Sequence, residues 1–209
     1  MKTNSEFKHA AINQIKGHWT QPVLSALIYT FLTYILMVLG SVDFIFGIIV
    51  FIIVLPLAYS YNQNYLLFAR VNGTKMVKYL FKGYKKIGRA TALPLMLTVF
   101  TALWTVLLIV PGVIYALAYS LAYFIAKDYP KMNAYKCIVY SKMMMKGHKM
   151  QMFQLWLSFI GWALLGLITC GIALLWIDPY FKTTMAYFYE EIKEEYESQN
   201  PEVAQSLME

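Results

Sequence analysis

Residues 90–126 read ATALPLMLTVFTALWTVLLIVPGVIYALAYSLAYFIA and contain no Asp, Glu, Lys or Arg. A membrane-spanning helix needs about 20 apolar residues. At about 1.5 Å per residue, one helix over this whole range would reach about 55 Å, nearly twice the bilayer's hydrocarbon core of about 30 Å. Because Pro111-Gly112 interrupts the run, the stretch predicts two membrane helices joined as a hairpin.

The composition of the whole chain also indicates a membrane protein. Hydrophobic residues make up 59% of the sequence and charged residues only 14%, whereas soluble domains contain about 25% charged residues. The ranges 17–42, 44–69 and 150–177 contain no charged residue either. Each of these ranges is long enough to form at least one membrane-spanning helix.

Two further hairpins follow from these ranges. Residues 22–40 and 44–61 form one pair of helices, joined by a short turn at 40–43. Residues 150–189 form the other pair, with a turn near Thr169-Cys170-Gly171. The sequence therefore predicts an all-α polytopic membrane protein in which six transmembrane helices are arranged as three hairpins.

Basic residues in the short connections predict the orientation of the chain. Such residues mark the cytoplasmic side of a membrane. The turns at the far ends of the hairpins carry only Asp43. The connections between hairpins carry Arg70, Lys75, Lys78, Lys82, Lys85, Lys86 and Arg89, then Lys127, Lys131, Lys136, Lys142, Lys146 and Lys149. We expect a multi-pass protein of the cytoplasmic membrane with both termini in the cytoplasm.

A Lys-Gly motif recurs before each hairpin. The motifs are Ile15-Lys16-Gly17-His18-Trp19, Phe81-Lys82-Gly83-Tyr84-Lys85 and Met145-Lys146-Gly147-His148-Lys149, and their glycines are 66 and 64 residues apart. Glycine accepts the left-handed conformation that ends a helix. The pattern predicts one membrane domain over 1–192, built from repeat units at about 5–70, 71–130 and 131–192. Each unit consists of an interfacial helix, a Lys-Gly hinge and a hairpin.

The interfacial helices are predicted from their amphipathic pattern. Between Met132 and Lys146, for example, Ala134, Ile138, Ser141 and Met145 fall on one helix face. Such a helix buries its apolar stripe at the acyl boundary and leaves its lysines among the headgroups. One interpretation of the Lys-Gly motifs is a helix end with topogenic charge. The other is binding of anionic lipid headgroups, for which the candidates are Lys16, His18, Lys82, Lys85, Arg89, Lys146, His148 and Lys149.

Polar residues inside the apolar segments are further candidates. Asp178 and Lys182 interrupt the last helix and are spaced i,i+4, so they could neutralise each other, or Asp178 could serve transport or gating. Tyrosines and small residues on one helix face suit either close packing or a polar substrate path. The intramembrane polar candidates are Tyr115, Tyr119, Tyr123, Asp178, Lys182, Thr183 and Thr184.

No pattern of residues predicts catalysis or a cofactor. His9, His18 and His148 form no metal-ligand pair, and no hydrolase, nucleotide-binding or metalloprotease motif occurs. Cys137 and Cys170 fall on opposite sides of the membrane in this topology, which excludes a disulfide between them. The net charge of +7 is explained by the topology, so we expect neither a metal, nor a cofactor, nor nucleic acid.

Several stretches carry a resemblance to a known family. They are Gly88-Arg89-Ala90, 109–114, 119–123, 141–149, 157–162, 169–172, Leu175-Trp176 and Pro179-Tyr180. Over about 80–192 the sequence resembles the bacterial membrane proteins catalogued as domain of unknown function 975, and 15–19 is similar as well. The resemblance implies a bacterial six-helix membrane protein without an assigned substrate. Asp178 departs from the family pattern, in which this position is more often apolar.

The sequence leaves three functions open. We expect a non-enzymatic membrane module that binds anionic membrane lipids, a protein partner or a second copy of itself. The alternative is a small-solute transporter or channel whose path is lined by Tyr115, Tyr119, Asp178 and Thr183, and a membrane enzyme is the third reading. The acidic tail at 193–209 extends the last helix into the cytoplasm, either docked on basic loops or, as we favour, solvated.

Overall fold

The computed structural model describes residues 2–71, 75–107 and 109–201. Helix makes up 84% of the structure, and the described residues contain no strand, so the all-α prediction is confirmed. A 3-10 helix at Lys82–Lys86 precedes α5. The α-helices are α1 (Asn4–Ile15), α2 (Thr20–Gly40), α3 (Phe44–Arg70), α4 (Met76–Tyr79), α5 (Ile87–Leu107), α6 (Ile109–Tyr119), α7 (Ala122–Asp128), α8 (Ala134–Met144), α9 (Lys149–Leu157), α10 (Ile160–Ile168) and α11 (Leu174–Gln199).

Five helical segments of the described chain are long and apolar enough to cross a membrane, and they indicate a membrane protein. Their bounds are Thr20–Gly40, Phe44–Arg70, Met76–Val106, Val110–Asp128 and Lys149–Ile168. The predicted sixth span is not among them. Although α11 has 26 residues, Asp178, Lys182 and the acidic residues that follow lower its hydropathy.

The first hairpin, α2 and α3, turns where the sequence predicts. Asp43 caps α3, because its Oδ1 accepts hydrogen bonds from the backbone N–H groups of Ile45 and Phe46 at 2.9 and 3.1 Å. Gly40 and Gly47 let the two helices approach closely, since a Cβ on Gly47 would lie only 2.8 Å from the carbonyl oxygen of Gly40. Small residues at such crossings are typical of membrane helix pairs.

The second hairpin reverses between α5 and α6, a few residues before the predicted break. Pro111 lies within the first turn of α6, where a helix tolerates the missing N–H. Gly112 instead serves the packing, because a Cβ there would lie 2.6 Å from Oγ1 of Thr105. Trp104 and Tyr115 stack across the hairpin with ring centroids 4.3 Å apart.

The third hairpin, α10 and α11, reaches less far than the first. Its turn contains Cys170 and Gly171, as predicted, and both residues have a positive φ, of 52° and 88°. This turn shares a cavity with Ala26, Tyr29 and Thr30 of α2. From Tyr29, α2 continues for about 16 Å to its end at Gly40, at about 1.5 Å per residue. The turn therefore lies beside the middle of α2.

The predicted interfacial helices pack on the protein instead of on lipid. In α1, Phe7 and Ile15 are buried, and the ring of Phe7 meets that of Phe188 on α11 at 5.3 Å. In α8 and its C-cap residue Met145, the four residues predicted to share a face are all buried, namely Ala134, Ile138, Ser141 and Met145. The amphipathic pattern was interpreted correctly as a helix face, but the surface that covers it is protein. Hydropathy alone does not distinguish the two.

The three Lys-Gly motifs adopt two different structures. Gly17 and Gly147 follow α1 and α8 with φ of 84° and 94°, as a left-handed helix end requires. Gly83 lies within the 3-10 helix and packs against α3. A Cβ there would lie 2.3 Å from the carbonyl oxygen of Pro56 and 2.5 Å from Oγ of Ser60. The hinge prediction is wrong for Gly83, where close packing is what requires glycine.

The beginning of the acidic tail is docked, and the prediction of a solvated tail is wrong for the described part. Lys193 Nζ lies 2.7 Å from Oδ2 of Asp128, and His148 Nε2 lies 3.6 Å from Glu195. Just before the tail, Glu190 contacts Arg70 at 2.5 Å. The C-terminal half of α11 is therefore held by polar contacts to α3, α7 and the residue that precedes α9. Residues 202–209 of the tail lie outside the described residues.

Candidate functional site

A basic pocket of about 290 Å³ lies where α3, the 3-10 helix, α5 and the end of α7 meet. Five cationic side chains surround it, and no Asp or Glu is among its lining residues. Half of its neutral lining residues come from α3. The lining residues are Tyr59, Ser60, Gln63, Asn64, Tyr79, Lys82, Gly83, Lys85, Lys86, Arg89, Ala126, Lys127 and Pro130.

Gly83 fixes the 3-10 helix on α3. Its backbone N–H donates to Oγ of Ser60 at 2.6 Å, and this bond is buried. The short helix carries Lys82, Lys85 and Lys86, so anchoring its backbone places all three ammonium groups around one cavity. Lys82 Nζ lies 5.3 Å from the ring centroid of Tyr79, within cation–π range.

Arg89 is held rigidly at the rim. Its guanidinium donates to the carbonyl oxygens of Pro130 and Tyr129, the latter at 2.7 Å, and contacts Sγ of Cys137 at 3.2 Å. Burial raises the pKa of the Cys137 thiol, so this contact is to a neutral group. Within the described chain, the buried Nε of Arg89 and Nε2 of Gln63 have no hydrogen-bond acceptor. Buried donors of this kind are costly unless a ligand or water satisfies them.

The carboxylate nearest in sequence does not neutralise the pocket. Asp128 follows Lys127, but its oxygens bind Arg70 at 2.6 Å and Lys193 at 2.7 Å. The phenol of Tyr189 also donates to Asp128 at 2.9 Å. Five like charges around one cavity repel each other, and a bound anion relieves that repulsion.

The predicted headgroup residues separate into two groups. Lys82, Lys85 and Arg89 line the basic pocket. The others do not line it, namely Lys16, His18, Lys146, His148 and Lys149. Lys86 and Lys127 complete the pocket. Both are charged residues in the connections between hairpins, so the sequence could have indicated them. Gln63 and Asn64 carry no charge, so nothing in the sequence indicated them.

A second polar cluster lies where α11 crosses α2 and α3. The phenol of Tyr61 donates to Oδ2 of Asp178 and accepts from the phenol of Tyr65 at 2.9 Å. Lys182 Nζ lies 3.8 Å from Oδ1 of Asp178 and donates to Oδ1 of Asn62 at 2.6 Å. The predicted pairing of Asp178 with Lys182 is therefore loose, and each group takes its closest partner from α3.

The other intramembrane candidates do not form one path. Tyr119 and Tyr123 line a cavity of about 240 Å³ together with Lys182. Thr183 and Thr184 are fully buried, and Thr184 donates to its own helix. The predicted transport path joined Tyr115, Tyr119, Asp178 and Thr183, but only Tyr119 of these four lines this cavity.

The described residues contain no group of three or more His, Cys, Asp and Glu that could hold a metal ion.

Comparison with known proteins matches part of the chain to a family. The family model described as "Protein of unknown function (DUF975)" matches residues 95–196. Residues 95–196 match the DUF975 family model, and we call them the DUF975 region. The resemblance predicted from the sequence is confirmed over these residues.

The DUF975 region runs from the middle of α5 into α11, so it includes Asp178, Lys182 and Lys127. Lys82, Lys85, Lys86 and Arg89 precede it. The basic pocket is thus built mostly from residues outside the DUF975 region. Neither the curated proteins nor the solved structures give a significant match to the chain.

Proposed function

We propose that this protein is a non-enzymatic module of the bacterial cytoplasmic membrane that binds anionic phospholipid headgroups in the basic pocket. One observation carries the proposal: five cations surround a cavity of about 290 Å³ whose lining contains no carboxylate. Ammonium and guanidinium groups form short, charge-assisted hydrogen bonds to phosphate oxygens.

The pocket offers the donors that a phosphodiester needs. Lys82, Lys85 and Lys86 supply mobile point charges, whereas Arg89 supplies a fixed guanidinium. Nε of Arg89 and Nε2 of Gln63 are buried donors without a protein acceptor in the described structure. A phosphate group bound in the pocket could accept hydrogen bonds from these donors, and no carboxylate lines the wall to repel it.

Apolar side chains beside the pocket favour a lipid over a soluble anion. Phe81 precedes Lys82 and is 50% exposed, and Ile87 follows Lys86 and is 60% exposed. An amphiphile that places its headgroup among the lysines would lay its acyl chains against these side chains. Lysines next to a membrane surface contribute about 1 kcal/mol each to binding of anionic lipid.

The proposed membrane topology follows from the same charges. With the basic connections in the cytoplasm, both termini are cytoplasmic, and the basic pocket faces the inner leaflet. The three hairpins enter from that side. The first part of α11 then serves as a sixth membrane helix, which is shorter in its apolar extent than the five long spans.

Native mass spectrometry of the purified chain with added phosphatidylglycerol tests the headgroup site. The variant K82A/K85A/K86A should lose at least about tenfold in affinity for this lipid. The matched control K136A/K142A/K146A removes the same charge from exposed positions around α8 and should bind as the unchanged protein does. Equal loss in both variants would reduce the effect to overall charge, and no loss in the first would exclude the pocket.

A further inference from the structure

A cavity of about 610 Å³ lies between α2, α3 and the third hairpin, separate from the basic pocket. Its wall is largely apolar and aromatic, with Ala26, Tyr29, Leu174 and Leu175 among the lining residues. Asp178 and Lys182 are its only charged lining residues. The aromatic part is ordered, because Tyr29 and Tyr61 stack with centroids 4.1 Å apart and planes within 2°.

Both charged groups retain unused hydrogen-bonding capacity. The Asp178 carboxylate has about four acceptor sites, yet its only hydrogen bond in the described structure comes from the phenol of Tyr61. The Lys182 ammonium has three donors and one hydrogen bond, to Asn62. Their separation of 3.8 Å is too long for a hydrogen bond. In apolar surroundings such groups gain from further partners.

The charge balance of the cavity selects the kind of ligand. One carboxylate and one ammonium sum to zero, so a singly charged ligand would leave an uncompensated charge in a largely apolar cavity. A zwitterion keeps the sum at zero. Its ammonium can bind Asp178 beside the tyrosine rings, and its anionic group can bind Lys182.

The position of the cavity favours a lipid over a free solute. The third hairpin turns beside the middle of α2, and Cys170, Gly171 and Ile172 of that turn form the cavity's edge. The exposed residues around the turn are apolar, with Ile168 and Ile172 79% and 63% exposed. The cavity therefore opens beside an apolar surface, where acyl chains can lie while the polar head enters.

We propose that this cavity binds the headgroup of a zwitterionic phospholipid that carries a primary ammonium, with the ammonium on Asp178 and the phosphate on Lys182. The site is distinct from the basic pocket in place, charge and ligand, and it does not rest on the function proposed there.

Native mass spectrometry of the full chain with phosphatidylethanolamine tests the site, and the probe lipids isolate each feature. Phosphatidylcholine has a quaternary ammonium that cannot donate to Asp178, so it should bind at least about tenfold more weakly. Free phosphoethanolamine shares the head but lacks acyl chains, and it should also bind more weakly. Affinity for free phosphoethanolamine equal to that for the lipid would overturn the assignment to a phospholipid.

The decisive variant is D178N/K182Q, which removes both charges and keeps the cavity neutral. Each single variant leaves one charge without a partner and is prone to misfold, whereas the double variant avoids that problem. We expect it to lose phosphatidylethanolamine binding by at least about tenfold and to keep phosphatidylglycerol binding. K82A/K85A/K86A should show the opposite pattern.

Each result has a separate meaning. Unchanged phosphatidylethanolamine binding in the folded D178N/K182Q variant would overturn the present inference and leave the basic pocket untouched. Loss of phosphatidylethanolamine binding in K82A/K85A/K86A but not in D178N/K182Q would place this lipid in the basic pocket and also overturn it. A circular-dichroism spectrum and melting temperature matching the unchanged protein confirm that each variant is folded.

Discussion

The guanidinium of Arg70 binds both carboxylate oxygens of Asp128, with Nη1 2.6 Å from Oδ1 and Nη2 2.6 Å from Oδ2. The Asp128 side chain is only 6% exposed and also binds Lys193 at 2.7 Å. Because these residues belong to α3, α7 and α11, one carboxylate joins three helices. Buried ion pairs with several hydrogen bonds are strongly destabilised when one partner is removed.

Asp128→Asn should therefore lower the free energy of unfolding by about 1.5–3 kcal/mol, because Arg70 and Lys193, which are partly exposed, lose their shared counter-ion. Thermal unfolding in detergent measures the change. Glu194→Gln is the control, since this carboxylate lies next to Lys193 on α11 and is exposed, and it should shift stability by less than about 0.5 kcal/mol. Equal effects of the two substitutions would show that Asp128 contributes no more than a surface charge.

The glycines of the Lys-Gly motifs should respond differently to substitution. Gly83→Ala places a Cβ 2.3 Å from the carbonyl oxygen of Pro56, so the 3-10 helix must move off α3, and anionic-lipid binding should fall together with stability. Gly17→Ala meets no atom within 4 Å and costs about 1 kcal/mol through its left-handed backbone alone. Gly161→Ala, helical and unobstructed, should not destabilise and should add up to about 1 kcal/mol through the better helix propensity of alanine. Wild-type lipid binding by a folded Gly83→Ala protein would contradict this account.

The depth of the third hairpin predicts how Cys170 reacts. Its turn lies beside the middle of α2, so a membrane-impermeant maleimide should label Cys170 in detergent but not in intact cells. Ser41→Cys in a cysteine-free background marks the far turn of the first hairpin and should be labelled in intact cells. Cys137 is fully buried with a raised thiol pKa and should react only after unfolding. Strong labelling of Cys170 in cells would show that the third hairpin spans the membrane.

The N-terminus should loosen from α11 at acidic pH. A hydrogen bond from Lys2 lowers the pKa of Glu191, and the same bond raises the pKa of Lys2. Because the folded-state pKa of Glu191 is lowered, the contact stabilises the fold at pH values above the unfolded carboxyl pKa of about 4.3. This stabilisation is lost as the pH falls through the folded-state pKa. The stabilisation that comes from the raised pKa of Lys2 is lost only above about pH 10.4. The pair is partly exposed, so its worth is below about 1 kcal/mol.

Comparing melting temperatures of the unchanged protein and Lys2→Ala from pH 7 down to pH 3 checks this contact. The difference between them should shrink as the pH falls below about 4. Lys16→Ala removes an exposed lysine of the same segment and should show no such convergence. A difference that stays constant over the whole range would exclude the Lys2–Glu191 pair as its source.

Most helices could be predicted from the sequence because uncharged runs and their breaks report directly on backbone structure. The short reach of the third hairpin could not, since hydropathy records a preference for apolar surroundings and not the depth reached. For the same reason, hydropathy could not show that α1 and α8 pack on protein where a lipid interface was predicted. The faces of Ile138 and Met145 were predictable, but whether protein or lipid covers them depends on the partner elements.

The basic pocket was partly predictable for a different reason. Lys82, Lys85 and Arg89 stand out as charge in a short connection. Gln63 lies far from them in the chain, and only the close packing of Gly83 on α3 brings it to the same cavity. Short-range sequence pattern does not encode such an approach. The Tyr61–Asp178 bond was missed for the same reason, because it joins residues 117 positions apart.

One helix, α11, contributes residues both to the Asp178–Lys182 cluster and to the ion pairs of Asp128. Asp178 and Lys182 lie near its start, and the residues from Glu190 onward contact α3, α7 and the N-terminal residue Lys2. About 30 Å separate Pro179 from Gln199 along the axis. A tilt of about 5° at Pro179 would therefore move Gln199 by about 2.6 Å, because the segment between them acts as a lever about 30 Å long. Such a displacement is as long as the ion pairs of Asp128, so a small tilt of α11 at Pro179 would be enough to break those contacts.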